Sequence, residues 1–87
     1  MKKETVTVNW RAGLHARPAS ILVKTANKFN SKIIIQKESV EVDGKSVIGM
    51  MTLGASYKTD LIVLIEGVDE ESAMKAILDI FNEELPE

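Results

Sequence analysis

The sequence predicts an α+β fold, an open-faced two-layer sandwich in which three helices cover one face of a four-stranded, mainly antiparallel sheet. Three observations predict it. Short runs of alternating apolar and polar residues are interleaved with runs at helical spacing, in the order β-α-β-β-α-β-α. Two of the strand-like runs are parted only by a tight turn near Glu38-Ser39, so the sheet contains a hairpin. The chain has 87 residues, enough for one domain of two layers around a single core. That domain is expected to occupy all of 1–87.

Each element has a local reason. Glu4 to Val8 is β-branched and alternating, as a half-buried strand requires. From Ala16 to Asn27, Ala19, Leu22, Val23 and Ala26 fall on one helical face, continued by Phe29. Lys32 to Lys37 is a second strand around Ile33-Ile34-Ile35, and Val40 to Val42 is its short hairpin partner. Ser46 to Leu53 reads as a short helix, with Ser46 at its N-cap and Gly54 just past its end. Leu61 to Glu66 is the fourth strand. Asp69 then caps a C-terminal helix whose Ala73, Ile77, Ile80 and Phe81 share a face, while Glu70, Glu71, Glu83 and Glu84 form a solvated one.

Composition narrows the function classes. Cysteine is absent, which removes disulfides, thiolate catalysis and Cys-based metal sites and fits a reducing compartment. The N-terminal MKKETVTVNW has two lysines with no apolar run behind them, unlike a signal peptide. Leu61 to Ile65, the longest strongly apolar stretch, is too short to span a bilayer, so no membrane insertion is expected and the location is read as cytoplasmic. Net charge is −2, but residues 1–45 carry +5 and residues 46–87 carry −7. Such asymmetry fits either a basic face that meets an acidic partner or charge segregated by element. Nucleic acid binding is disfavoured, because the balance is acidic and the aromatics are not interleaved with the basic residues.

The chemistry concentrates in Gly13-Leu14-His15-Ala16-Arg17-Pro18-Ala19. The single histidine falls at or next to a helix N-cap, and Pro18 suits the first turn, where its missing N–H costs nothing. The backbone N–H groups of Ala16 and Arg17 then point out of the helix start beside the imidazole, together with a guanidinium. A neutral imidazole there is a nucleophile that can accept a phosphoryl group, and the same positive surroundings stabilise the product anion. No Gly-rich nucleotide loop and no carboxylate cluster for Mg²⁺ accompany it. The segment therefore reads as a phosphoryl acceptor without catalytic machinery, metal or cofactor of its own. The competing reading is a plain cap-position histidine on a polar surface.

Ser46 is a second candidate. Capping alone explains a serine there, yet a phosphate at a helix N-terminus is electrostatically tolerated, so a regulatory modification is also open. Val47, Ile48 and Met51 lie on the same short helix, which cannot bury them all. At least Ile48 or Val47 is expected to be exposed as a partner contact, beside adaptable Met51.

The string GLHARPAS resembles the active-site motif of the HPr family, the histidine-containing phosphocarriers of the bacterial phosphoenolpyruvate-dependent sugar phosphotransferase system. The similarity continues in KSVIGMMTLG, Lys45 to Gly54, and in EGVDEESAMKAI, Glu66 to Ile77. The resemblance implies that His15 is phosphorylated on Nδ1 by enzyme I and passes the group to IIA components of sugar permeases. It implies that Arg17 steadies the phosphoryl group and, with Lys24, Val47, Ile48 and Met51, meets partners. It further implies that Ser46 resembles the serine modified by HPr kinase/phosphorylase, after which the catabolite control protein would be recognised. A monomer is expected. Relatives with Gln in place of the histidine keep regulation and lose transport, and His15 argues against that branch. A regulatory paralogue of the carbon or nitrogen branch stays as an alternative. An acylphosphatase-like enzyme is a remote one, since neither Asn27 nor Asn30 stands in a matching motif. Three positions depart from the family pattern: Ala12, where a polar side chain is common, the Asp43-Gly44 pair before Lys45-Ser46, and Trp10.

Overall fold

The computed structural model describes residues 1–83. The elements are β1 (Lys2–Thr7), α1 (Ala16–Ala26), β2 (Lys32–Lys37), β3 (Val40–Asp43), α2 (Val47–Thr52), β4 (Asp60–Glu66) and α3 (Glu70–Phe81). The sheet has the order β1-β4-β2-β3, antiparallel at every pairing. The open-faced sandwich and its element order are as expected.

Strand alternation divides the sheet into its two faces. Leu61, Val63 and Ile65 of β4 and Ile33 and Ile35 of β2 are buried, while Ile62, Leu64 and Ile34 between them are only half-buried on the open side. The buried set packs against Ala19, Leu22, Val23 and Ala26 of α1, Met50 of α2, and Ala73, Met74, Ile77, Ile80 and Phe81 of α3. Every residue assigned to the apolar face of α3 from its spacing lies in this core.

Three details differ from the expectations. Strand β1 begins two residues early, at Lys2, because Lys2 and Lys3 pair in register with Ile65 and Leu64 although neither is a strand-favouring residue. The N-terminal ammonium meets Glu70 at 3.1 Å and Lys2 meets Glu71 at 3.3 Å. Part of the charge asymmetry thus pairs within the molecule, and Glu70 is half-buried rather than simply solvated. Glu84 lies outside the described residues.

Asp69 occupies the N-cap of α3 but makes no side-chain capping bond. Its carboxylate instead accepts from the Asn30 and Ser31 N–H groups at 2.8 and 3.0 Å and from the Ser31 hydroxyl. It ties the start of α3 to the entry of β2, and Glu70 accepts from the Gly67 N–H at 3.2 Å. The Ser31 hydroxyl, then the Asn30 N–H, hold the Asp69 carboxyl below its usual range against a smaller opposing effect of burial. A carboxyl depressed in the folded state stabilises above its unfolded value and loses that contribution as pH falls through the folded value. Stability should therefore fall on acidification below about pH 4. Asp69→Asn should be less stable at neutral pH and show a shallower acid loss, as read by thermal melts from pH 7 to pH 2.

Candidate functional site

The loop before α1 is held from two sides. From below, the Trp10 indole is buried, stacks on Phe81 with centroids 5.4 Å apart, and donates its N–H to the Glu83 carbonyl at 3.0 Å. From the side, Val8 N–H donates to Thr59 O at 2.9 Å, Lys58 N–H to Val8 O at 2.7 Å and Leu14 N–H to Ala55 O at 2.8 Å. Trp10 is thus an anchor of this loop in the core. Its partners lie more than 70 residues away in sequence, so no local pattern reveals the role.

Within the loop a short relay of backbone bonds sets the next residues. Gly13 N–H donates to Trp10 O at 2.8 Å and His15 N–H donates to Gly13 O at 2.9 Å. Gly13 has φ +77, and a Cβ there would come within 2.7 Å of the Ala55 carbonyl oxygen. Only glycine combines that left-handed conformation with so close an approach.

His15 is the N-cap of α1, with extended backbone (φ −88, ψ −171), and its carbonyl accepts from Ala19 N–H at 3.0 Å. The imidazole makes no capping bond. Half-buried, it lines a shallow depression with Ala12 and Leu14 from its own loop, Met51 of α2, and Gly54, Ala55 and Ser56. Ala16, Arg17 and Pro18 form the first turn of α1, where N–H groups precede the first intrahelical acceptor. Pro18 is buried, while Ala16 and Arg17 are exposed beside the histidine. Ala12 sits in the depression wall and brings no polar side chain toward the ring.

The second sequence-derived site stands on α2. Ser46 is its N-cap, and Oγ accepts from Gly49 N–H at 3.0 Å. Asp43 and Gly44 form the turn that feeds it: Ser46 N–H donates to Asp43 O at 3.1 Å and Lys45 N–H to Asp43 Oδ1 at 2.9 Å. Ile48 is 76% exposed and Met51 45% exposed, whereas Val47 packs partly against the core. Of the three apolar residues expected to meet partners, Ile48 and Met51 are thus exposed and Val47 is half-buried. The same depression joins Met51 to His15. On α1, Arg17 and Lys24 are seven residues apart and both exposed, so they share one basic side of the helix, and Lys28 is exposed in the turn just past its end.

Among the described residues, no group of three His, Cys, Asp or Glu side chains could hold a metal ion, and no helix is long and apolar enough to cross a membrane.

Comparison with known proteins settles what such an arrangement belongs to. The family model described as the PTS HPr component phosphorylation site matches residues 2–83. The chain belongs to the HPr family. It is 39% identical over 87 residues to the phosphocarrier protein HPr of Treponema pallidum, covering 100% of this chain and 99% of that protein. It is 37% identical to the HPr-like protein Crh of Halalkalibacterium halodurans, covering 97% and 100%. The crystal structure of HPr-C-His from Thermoanaerobacter tengcongensis superposes with a TM-score of 0.90 at 44% identity, covering 98% and 100%. As a member of the HPr family the chain is a phosphocarrier, moving a phosphoryl group by way of a histidine rather than catalysing a turnover of its own.

Proposed function

We propose that His15 is the phosphoryl acceptor, loaded by phosphorylated enzyme I and unloaded by IIA components of sugar permeases in the cytoplasm. The observation that carries this reading is the placement of the chain's one histidine as the N-cap of α1 with its ring free of the capping bond. The imidazole borders a depression open enough for a partner's phosphohistidine or phosphate to approach. Attack by the neutral ring nitrogen, Nδ1 by family resemblance, forms the N–P bond as the donor's N–P bond breaks. The first-turn N–H groups of Ala16 and Arg17 and the Arg17 guanidinium then face the new dianion. Those groups favour charge and supply no proton shuttle, so the carrier relies on each partner for the rest of the chemistry. No cofactor or metal enters on this side of the reaction.

The relay has a direct test. Incubation with enzyme I, Mg²⁺ and phosphoenolpyruvate should add one phosphoryl group, and addition of a IIA component should remove it stoichiometrically. A group that loads but never transfers would contradict the carrier reading and favour a regulatory paralogue of the carbon or nitrogen branch.

We assign Arg17, Lys24, Ile48 and Met51 to the surface that partners cover, with Val47 supporting it from inside. Helix α1, with Arg17 and Lys24 exposed, packs against α2, so an acidic partner surface centred on His15 would span both. Lys24→Glu should therefore weaken productive docking on enzyme I several-fold, and the affinity should fall as salt rises. Lys75→Glu, in the i,i+4 pair with Asp79 on α3, should change it little. Equal effects in a titration of initial rates would rule out a localised surface. Ser46 is assigned as the regulatory phosphorylation site of HPr kinase/phosphorylase, with recognition by the catabolite control protein following from it. Its half-buried hydroxyl engages one N–H only, so loss of the serine hydrogen bond on modification is compensated by phosphate at the same helix start. The monomer is taken as the working form. The two edge strands of the sheet carry charges, Lys2-Lys3-Glu4 at the start of β1 and Glu41 and Asp43 in the four-residue β3, and charges of this kind discourage edge-to-edge pairing.

A further inference from the structure

We infer that Arg11, Tyr57 and Lys58 form a second docking lobe beside the His15 depression, one that receives carboxylates on the surface of a phosphoryl-exchange partner. The inference rests on the reading of His15 above and concerns a surface separate from the α1–α2 face.

Four observations carry it. The Arg11 guanidinium lies 5.7 Å from the centroid of the Tyr57 ring and the Lys58 ammonium 5.5 Å from it. Two like charges converge on one aromatic, whose negative face eases their repulsion. Second, all three side chains are exposed, and among the described residues neither Arg11 nor Lys58 has an acidic partner. The cations near α3 behave differently: the N-terminal ammonium, Lys2 and Lys75 each meet a carboxylate. Third, Lys58 has φ +72, a conformation that suits glycine and not lysine. The turn is nonetheless fixed there, by Thr59 N–H donating to Ser56 O at 3.1 Å and by the hydroxyls of Ser56 and Thr59, also 3.1 Å apart. A long cationic side chain is kept where folding alone favours none. Fourth, Ala12 and Ser56 line the depression that holds His15, and Arg11 and Tyr57 are their immediate chain neighbours. A protein that reaches His15 is therefore brought over this cluster.

The chemistry specifies the partner. A guanidinium fork binds a carboxylate through two parallel hydrogen bonds, the ammonium adds a point charge, and tyrosine offers a rigid half-apolar contact. Together they fit an acidic protein surface around the partner's own phosphoryl-bearing residue. The lobe adds contacts from the loops at Arg11 and at Tyr57-Lys58 to those of α1 and α2, so it fixes the partner's orientation as well as its attraction.

The experiment uses enzyme I with phosphoenolpyruvate and Mg²⁺ as donor and a IIA component as acceptor, with steady-state rates read for each. The double variant Arg11→Glu, Lys58→Glu should raise the apparent KM for the carrier about three- to tenfold with at least one of the two partners, leave kcat within about twofold, and flatten the salt dependence. Lys58→Gly separates docking from folding: relief of the backbone should keep or raise the Tm, while loss of the charge still raises the apparent KM. Lys32→Glu, exposed on the open side of the sheet, should leave the KM unchanged. Unchanged KM values with both partners in the double variant and in Lys58→Gly, while wild type is phosphorylated normally, would overturn the lobe and leave the His15 reading intact. Absence of any phosphorylation of wild type would instead overturn the His15 reading, and the lobe with it.

Discussion

Ser46→Asp should melt within about 1 kcal/mol of the wild type and yet accept its phosphoryl group from enzyme I at least about tenfold more slowly. The first half follows from the cap. Ser46 Oγ accepts from Gly49 N–H at 3.0 Å, and an aspartate at the same position accepts equally well and suits the positive end of α2. The second half follows from where α2 lies. Ile48 and Met51 are exposed on this six-residue helix, and Met51 shares the depression with His15, so a partner that is seated on His15 and reaches Ile48 comes within one turn of Ser46. A new negative charge set about 4–6 Å from a partner's carboxylate in a partly desolvated contact costs on the order of 1–3 kcal/mol. Ser46→Ala should do the reverse, losing about 1 kcal/mol of stability while accepting phosphate at the normal rate. Initial rates over a range of carrier concentrations, with melts of both variants, decide it. A wild-type rate for Ser46→Asp would reduce Ser46 to a helix cap.

Gly13→Ala should lower stability by roughly 3 kcal/mol, about 12–24 °C in the Tm of a domain this size. Two costs combine. A left-handed conformation costs a residue with a Cβ roughly 1–2 kcal/mol, and φ at Gly13 is +77. The added carbon would also stand 2.7 Å from Ala55 O and 3.1 Å from Ser56 Cα, and forcing atoms into filled space costs about 1–3 kcal/mol. The backbone cannot simply withdraw, because Leu14 N–H is bonded to that same Ala55 oxygen at 2.8 Å. Relief therefore comes at the expense of the clamp that sets His15. The remaining folded fraction should transfer phosphate poorly, a deficit that persists when rates are corrected for the folded population measured by circular dichroism. Full activity per folded molecule would show that the clamp does not position the histidine.

How much of this was legible in the sequence depended on whether the cause was local. Leu61, Val63 and Ile65 alternate, and the α3 core residues recur at helical spacing, so the layers could be read from one segment at a time. Ser46 and His15 were legible as caps because a cap is defined by the three or four residues after it. The misses share a different origin. Asp69 stands where a capping residue belongs, but its carboxylate is taken by Asn30 and Ser31, brought beside it only by the fold. The early start of β1 is imposed by pairing with β4, against the propensity of Lys2 and Lys3. Nothing near Trp10 in sequence accounts for it, because its partners Phe81 and Glu83 are brought to it only by the fold. The Arg11–Tyr57–Lys58 cluster joins two loops that nothing in their composition relates. Sequence alone does not separate Val47 from Ile48, since both are apolar on a helix too short to bury everything; the structure turns Val47 partly inward and Ile48 out.

The most direct measurement maps the phosphoryl group itself. After incubation with enzyme I, Mg²⁺ and phosphoenolpyruvate, intact-mass and fragment-mass spectrometry at alkaline pH should find one added phosphoryl group on the peptide that contains His15. The group should be lost on brief acid treatment, as an N–P bond requires, and be absent from His15→Ala, whose circular dichroism should match the wild type. Undiminished incorporation in His15→Ala, or an acid-stable group on any other residue, would contradict the assignment of His15 as the carrier of phosphate.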